Sequence, residues 1–128
     1  MIKNLSHISL MSNSLVKVKN FYIKKLGLKI AHEFRNQNNH LYGYFIKSNN
    51  ETFLEFFFTK KKIDFKNKNY HFRHICFEVS NIKNFNKKKF NNKLKIKRGK
   101  TDNVLHTFTE DFEGNIIEFH QRDSLSKF

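Results

Sequence analysis

Four side chains have the types and spacing to do chemistry: His7, Glu55, His74 and Glu118. Glu118 belongs to the stretch Asp111-Phe112-Glu113-Gly114-Asn115-Ile116-Ile117-Glu118-Phe119-His120. The first half of that stretch reads as a tight turn, in which Gly114 and Asn115 can take positive φ. The second half alternates as a strand, with Ile117 and Phe119 on one face and Ile116, Glu118 and His120 on the other. A carboxylate in mid-strand between bulky apolar residues is costly to bury unless something pairs with it. A metal ion shared with His7, Glu55 and His74 would do so. Two imidazoles and two carboxylates suit a borderline divalent ion such as Ni²⁺, Co²⁺, Zn²⁺, Mn²⁺ or Fe²⁺.

The elements that must position these residues follow from periodicity. Lys3 to Leu10 alternates as a strand, with Leu5, His7 and Ser9 on one face and Ile8 and Leu10 on the other. Asn13 or Ser14 can cap a helix through Leu26, whose apolar stripe is Leu15, Val18, Phe21, Tyr22 and Leu26. Gly27 stops it. Strands are expected over Leu28 to Phe34, Leu41 to Ile46 and Thr52 to Phe58, joined by turns at Gln37-Asn38-Asn39 and Ser48-Asn49-Asn50. After a basic linker the order repeats: His74-Ile75-Cys76-Phe77 answers His7-Ile8-Ser9-Leu10, and a Lys-rich helix from Asn81 to Asn92 turns Ile82, Phe85 and Phe90 inward. Leu94-Lys95-Ile96 then echoes Leu28-Lys29-Ile30, and Ile116-Ile117-Glu118-Phe119 echoes Phe53-Leu54-Glu55-Phe56. The expectation is one α+β domain of two βαβββ modules, about residues 1–59 and 72–121, with linker 60–71. Each module carries His in its first strand and Glu in its last.

Composition bounds the remaining possibilities. The chain has 128 residues, 16 of them Phe, enough to fill a core despite a mean hydropathy of -0.68. No apolar run approaches the length of a membrane span, and Met1-Ile2-Lys3-Asn4 leads into a polar-punctuated strand rather than a signal peptide. The single Cys76 cannot form an internal disulfide, which fits a reducing cytoplasm. The net charge of +14 would suit nucleic acid, yet it is spread through Lys/Asn mixtures such as Lys66-Asn67-Lys68-Asn69. Ala31 is the sole alanine and proline is absent, a pattern that coding bias explains without a polyanion. Arginine, the usual reader of phosphates, occurs only at 35, 73, 98 and 122.

His7-Ile8 with Phe21-Tyr22 and Leu26-Gly27-Leu28, Phe53-Leu54-Glu55, His74-Ile75 with Glu78-Val79, and Asp111-x-x-Gly114-Asn115-x-x-Glu118 together resemble the glyoxalase/bleomycin-resistance group, the vicinal oxygen chelate superfamily. The resemblance implies a curved, cup-shaped mixed sheet built from the two modules. It places one divalent metal ion per site on His7, Glu55, His74 and Glu118, with Glu118 as general base and Glu55 as the second candidate. The ligand set resembles glyoxalase I, which implies a metal-dependent lyase or isomerase acting on a small α-hydroxycarbonyl or hemithioacetal through an enediolate. An extradiol-type dioxygenase and a metal-free ligand-sequestering protein remain the alternatives. Met11 and Thr59 stand where many glyoxalases have the arginine and asparagine that serve glutathione. Lys97, Arg98 and Lys100 lie near the expected rim, where they could hold an anionic substrate.

The other histidines and the cysteine have simpler expected roles. His120 reads as a rim group and Cys76 as a packing residue, while His32, His40, His71 and His106 read as surface or structural. Each module, at about sixty residues, is small for a stable core and leaves sheet edges to cover, so a homodimer is expected.

Overall fold

The computed structural model describes residues 1, 3–49, 51–63 and 73–127. Most of the expected linker, including Lys66-Asn67-Lys68-Asn69, and His71 lie outside the described residues. The chain forms two compact units, Met1–Asp64 and Phe65–Phe128. Each holds a helical segment and a four-stranded mixed sheet, as a pair of βαβββ-like modules requires.

In the first module, β1 (His7–Ser12) is followed by α1 (Leu15–Val18), which continues as a π-helical segment, Lys19–Lys25. β2 (Lys29–Arg35), β3 (Leu41–Lys47) and β4 (Phe53–Phe58) complete a sheet of order β1-β4-β3-β2. β1 runs parallel to β4, from His7 opposite Phe53 to Ser12 opposite Phe58. The strand therefore starts later than the expected Lys3, because β4 supplies backbone partners only from Phe53, whose N–H bonds Ser6 O. Ser14, not Asn13, caps the helix, its Oγ accepting from Lys17 N. Asn13 instead donates to Thr59 O and Lys61 O, tying the start of the helix to the chain after β4. Widening to i→i+5 bonds, as from Leu26 N to Phe21 O, keeps Val18 and Tyr22 on the sheet side, both fully buried. Tyr22 packs on Phe56 with ring centroids 4.8 Å apart, and Tyr44, Ile46 and Leu54 complete this core. Gly27, at φ 83°, ends the helix as expected.

The second module has β5 (Ile75–Glu78), α2 (Ile82–Phe90), β6 (Lys97–Arg98), β7 (Leu105–Glu110) and β8 (Ile116–Gln121), in sheet order β5-β8-β7-β6. Asn81 caps α2 through Asn84 N, and Asn91 ends it in the left-handed conformation. Ile82 and Phe90 are buried, and Phe85 lies 4.6 Å from Phe119, ring centre to ring centre. Ile117 and Phe119 are buried on this side, as alternation along the strand requires.

Two expectations fail here for identifiable reasons. Leu94-Lys95-Ile96 is not a strand; β6 is only Lys97–Arg98. Buried Asn86 occupies both backbone groups of Leu94, donating to its O (2.8 Å) and accepting from its N (3.1 Å). Lys95 O is taken by Thr107 Oγ1 at 2.8 Å. With side chains holding these groups, a sheet ladder is not needed to satisfy them. Asn115 is not among the residues with positive φ; only Gly114 takes that role in the turn, at 81°. Asp111 Oδ1 fixes the rest by accepting from Glu113 N and Asn115 N.

The Asn86 bridge gives a stability test. Asn86→Ala leaves the N–H and C=O of Leu94 without their partner and should cost about 1–3 kcal/mol. Asn86→Asp, which keeps the acceptor but not the donor, should fall between parent and Asn86→Ala in thermal unfolding. An unchanged Tm for both variants would mean that solvent replaces the bridge at no cost.

Candidate functional site

In each module the helix covers one face of the sheet, and the other face carries the residues singled out from the sequence. In the first module that face bears His7 on β1 and Glu55 on β4. His7 lies opposite Phe53, so it is diagonal to Glu55, which pairs with Ser9. His7 is exposed, contacts Phe45 edge-on with centroids 5.6 Å apart, and has Ser6 Oγ 3.3 Å from its Nδ1. Glu55 is half-buried, with no hydrogen-bonding or ionic partner among the described residues. Around it the face is aromatic. Phe45 stacks on Phe53 (4.5 Å), Phe34 lies 5.1 Å from Phe57, and Tyr42 stacks on Phe57 (6.0 Å). Gly43 permits this closure, since a Cβ there would lie 2.8 Å from the Phe57 ring and 2.6 Å from Phe56 O.

The second module brings its pair into direct contact. His74 Nε2 lies 2.8 Å from Glu118 Oε2. The parallel β5–β8 ladder sets Cys76 opposite Glu118 and Glu78 opposite His120. Glu118 also accepts a hydrogen bond from the Cys76 thiol. Cys76, Glu118 and His120 each offer a ligand atom, and these atoms lie within 4.8 Å of one another. Cys76 is exposed rather than a packing residue, and His120 belongs to the cluster instead of only to its rim. Across the sheet His106 pairs with His120, its Nδ1 3.3 Å from Val104 O. An open pocket of about 600 Å³ adjoins His74, lined by Arg73, Phe108, Thr109, Glu110 and Ile116.

Charge pairing around this face narrows the residues free to act. Glu78 receives two bonds from Arg122, 2.6 and 2.7 Å, which hold its carboxyl below the usual range. Arg98, expected to serve an anionic substrate, is bound bidentately to Asp123 and donates to Asn103 O. Its guanidinium pulls the Asp123 carboxyl down to about 2. Lys97 and Lys100 remain exposed. The Cys76 thiol is pushed up to about 12, first by partial desolvation and then by the charge and hydrogen-bond acceptance of Glu118.

The donor chemistry is compatible with a divalent cation. His7, Glu55, His74 and Glu118 offer nitrogen and oxygen, and Glu55 is a half-buried carboxylate without a partner among the described residues. The model for the Glyoxalase/Bleomycin resistance protein/Dioxygenase superfamily matches residues 4–119. The chain belongs to this superfamily. No curated protein matches it. Among solved structures, SMU.1112c is similar at 19% identity and TM-score 0.78, covering 94% of this chain and 99% of its own. The glyoxalase family protein from Enterococcus faecalis is 21% identical at TM-score 0.73, covering 92% and 97%. A glyoxalase/bleomycin resistance protein/dioxygenase from Alicyclobacillus acidocaldarius is 17% identical at TM-score 0.66, covering 98% and 96%. At these identities the likeness is one of fold.

Sequence reasoning underweighted Cys76 and His120, although the signal was present. His74-x-Cys76-x-Glu78 and Glu118-x-His120 alternate onto one face, and a parallel pairing of their strands sets them side by side.

The raised thiol predicts slow alkylation. Around pH 8 the metal-free protein should react with iodoacetamide at least about a hundredfold more slowly than a free cysteine, since far less thiolate is present. The rate should keep rising with pH through the range where an ordinary thiol levels off. Glu118→Gln, which removes the neighbouring charge, should speed the reaction. A plateau at the pH of an ordinary thiol would contradict the assignment.

Proposed function

We propose that this chain is a divalent-metal-dependent lyase or isomerase of the glyoxalase I type, acting on a small α-hydroxycarbonyl or hemithioacetal. The observation that carries this reading is the 2.8 Å contact between His74 and Glu118, two of the four residues that the resemblance marks as ligands, with His7 and Glu55 at the equivalent strand positions of the other module. His7, Glu55, His74 and Glu118 would hold the ion. A bound divalent ion supplies Lewis-acid stabilisation of negative charge developing on two adjacent substrate oxygens.

The protein's own part is proton transfer and orientation. A Glu118 carboxylate oxygen takes the proton from the carbon beside the carbonyl and returns it to the neighbouring carbon, and His74 orients that carboxylate through Oε2. Glu55 is the second candidate for the base. Phe45, Phe53 and Phe57 give the substrate an apolar wall beside Glu55. A second reading, a metal-free ligand-sequestering protein, draws on the same aromatic face, which can stack a planar molecule without chemistry.

Metal content, solvent exchange and oxygen uptake separate these readings. Protein purified without added metal should contain close to one divalent ion per site, and His74→Ala or Glu55→Gln should lower that content sharply while the fold persists. Ni²⁺-, Co²⁺- or Zn²⁺-loaded protein should exchange the α-proton of an α-hydroxyketone with deuterated solvent, and Glu118→Gln should slow this by about 10²–10⁴-fold. Parent-like metal content in both variants defeats the ligand set. Tight ligand binding without metal or exchange favours sequestration, and oxygen consumption by the Fe²⁺-loaded protein favours a dioxygenase.

Glutathione hemithioacetals should be poor substrates, because Met11 and Thr59 stand where glutathione contacts would be expected. Efficient turnover of the methylglyoxal hemithioacetal would show that other residues supply those contacts.

We further propose that the active unit is a cytoplasmic homodimer. If its sites are shared between chains, mixing inactive Glu55→Gln and Glu118→Gln chains should restore part of the activity after verified subunit exchange. No recovery would assign each site to a single chain, and a monomer by sedimentation at micromolar concentration would remove the dimer itself.

A further inference from the structure

The open face of the second sheet ends in a charged pocket beside His74. Strand pairing puts Glu110 opposite Ile116 and Phe108 opposite Glu118. His74, one residue before the Ile75–Ile117 pair, comes level with Ile116. The rings of His74 and Phe108 meet edge-on with centroids 5.7 Å apart, so the aromatic wall of the pocket touches a proposed metal ligand. Phe108 and Ile116 are 47% and 43% exposed, which leaves apolar surface open on that wall. Arg73 and Glu110 line the same space of about 600 Å³.

Arg73 differs from the other arginines of the chain, at 35, 98 and 122. Arg35 is held by Glu33 and Asn39 O, Arg98 by Asp123, and Arg122 by Glu78. Arg73 has no hydrogen-bonding or ionic partner among the described residues, and neither has Glu110. Both are exposed. A guanidinium with its fork of donors open matches a carboxylate bidentately. A second negative charge on the same ligand would meet the Glu110 carboxylate, which disfavours a dianion such as a phosphate ester.

We propose that the substrate carries a single carboxylate, which Arg73 binds while Glu110 excludes dianions and Phe108 with Ile116 covers the apolar carbons beside it. The inference rests on the lyase or isomerase reading above for the reacting end of the molecule, and it adds a specificity pocket for the distal end. His74 keeps its place in the ligand set and meets the pocket through its contact with Phe108. Arg98, whose guanidinium is committed to Asp123, is thereby replaced by Arg73 as the holder of an anionic substrate.

Binding to the metal-free full chain tests the pocket apart from the chemistry, since no ion is then present to ligate the probe directly. Ligand-observed NMR with hydrocinnamate, its neutral amide and phenyl phosphate gives the affinities to compare. The parent should bind hydrocinnamate at least about fivefold more tightly than either the amide or phenyl phosphate. Arg73→Gln should bring acid and amide within about twofold, and Arg73→Lys, which keeps the charge without the fork, should retain part of the preference. Glu110→Gln should tighten phenyl phosphate by at least about threefold. Arg35→Gln removes a charge outside the pocket and should leave the preference as in the parent. Circular dichroism of each variant checks that the fold is kept. With Zn²⁺-loaded protein, deuterium exchange into δ-hydroxylevulinate should exceed that into its amide by a similar factor in kcat/KM, and Arg73→Gln should narrow that ratio.

Equal affinity for acid and amide in the parent overturns the proposal, as does a preference that survives Arg73→Gln. Loss of the preference in Arg35→Gln would reduce it to the net charge of the chain. Phenyl phosphate bound more tightly than hydrocinnamate, or unchanged in Glu110→Gln, would refute the selection of a single charge. No binding of any probe up to about 10 mM would remove the pocket as a site. A carboxylate preference kept without proton exchange on any metal would sink the lyase or isomerase reading and retain the pocket. Exchange of acid and amide at equal rates, with no binding preference, would do the reverse.

Discussion

In each module the first and last strands lie side by side and parallel, and the candidate chemistry depends on their register. His7 is set opposite Phe53, two residues before Glu55, and the β5–β8 register carries His74 to the same diagonal relation with Glu118. A shift of one residue would turn every side chain of the moved strand to the other face. Glu118 would then point toward the helix, and Ile117 and Phe119 would leave their core. The apolar packing of Ile117, Phe119, Ile82 and Phe90 therefore fixes the carboxylate's position as firmly as it fixes the fold. The same holds in the first module for Leu54 and Phe56, which are buried against Tyr22 and Val18 and leave Glu55 on the opposite face.

Legibility in the sequence tracks how local the determining interactions are. The helix starts were readable because Ser14 and Asn81 cap their own next turns. Glu118 and His120 were placed on one face by strand alternation alone. Leu94-Lys95-Ile96 has the apolar spacing of a strand, but the amide of Asn86, eight residues earlier, binds both backbone groups of Leu94. The commitment of Arg98 to Asp123 was equally hidden, since the two are separated by 25 residues. The Cys76 contact with Glu118 depends on pairing strands 42 positions apart, obtained as 118 minus 76, and no local pattern marks it.

The superfamily match establishes the family and the solved structures the fold, and both leave the chemistry of the site to its own residues. The two repeated faces differ in ways that the repeat itself does not dictate. Around Glu55 the neighbours are Phe45, Phe53 and Phe57, with Phe34 closing on Phe57 over Gly43. Around Glu118 they are His74, Cys76 and His120 beside the cross-strand Phe108, with Glu78 and His106 in the next row. Equivalent carboxylates thus sit in unequal surroundings.

That inequality has an electrostatic consequence. Glu118 is already served by a thiol and an imidazole, so its charge is shared before any ligand arrives. Glu55 is half-buried among rings and has no such partner among the described residues. A partly desolvated carboxylate attracts whatever cation or hydrogen-bond donor reaches it more strongly than a solvated one does. The apolar wall beside it rewards a flat or hydrophobic body on the same molecule. The first module is accordingly suited to gripping a molecule with one polar and one apolar end.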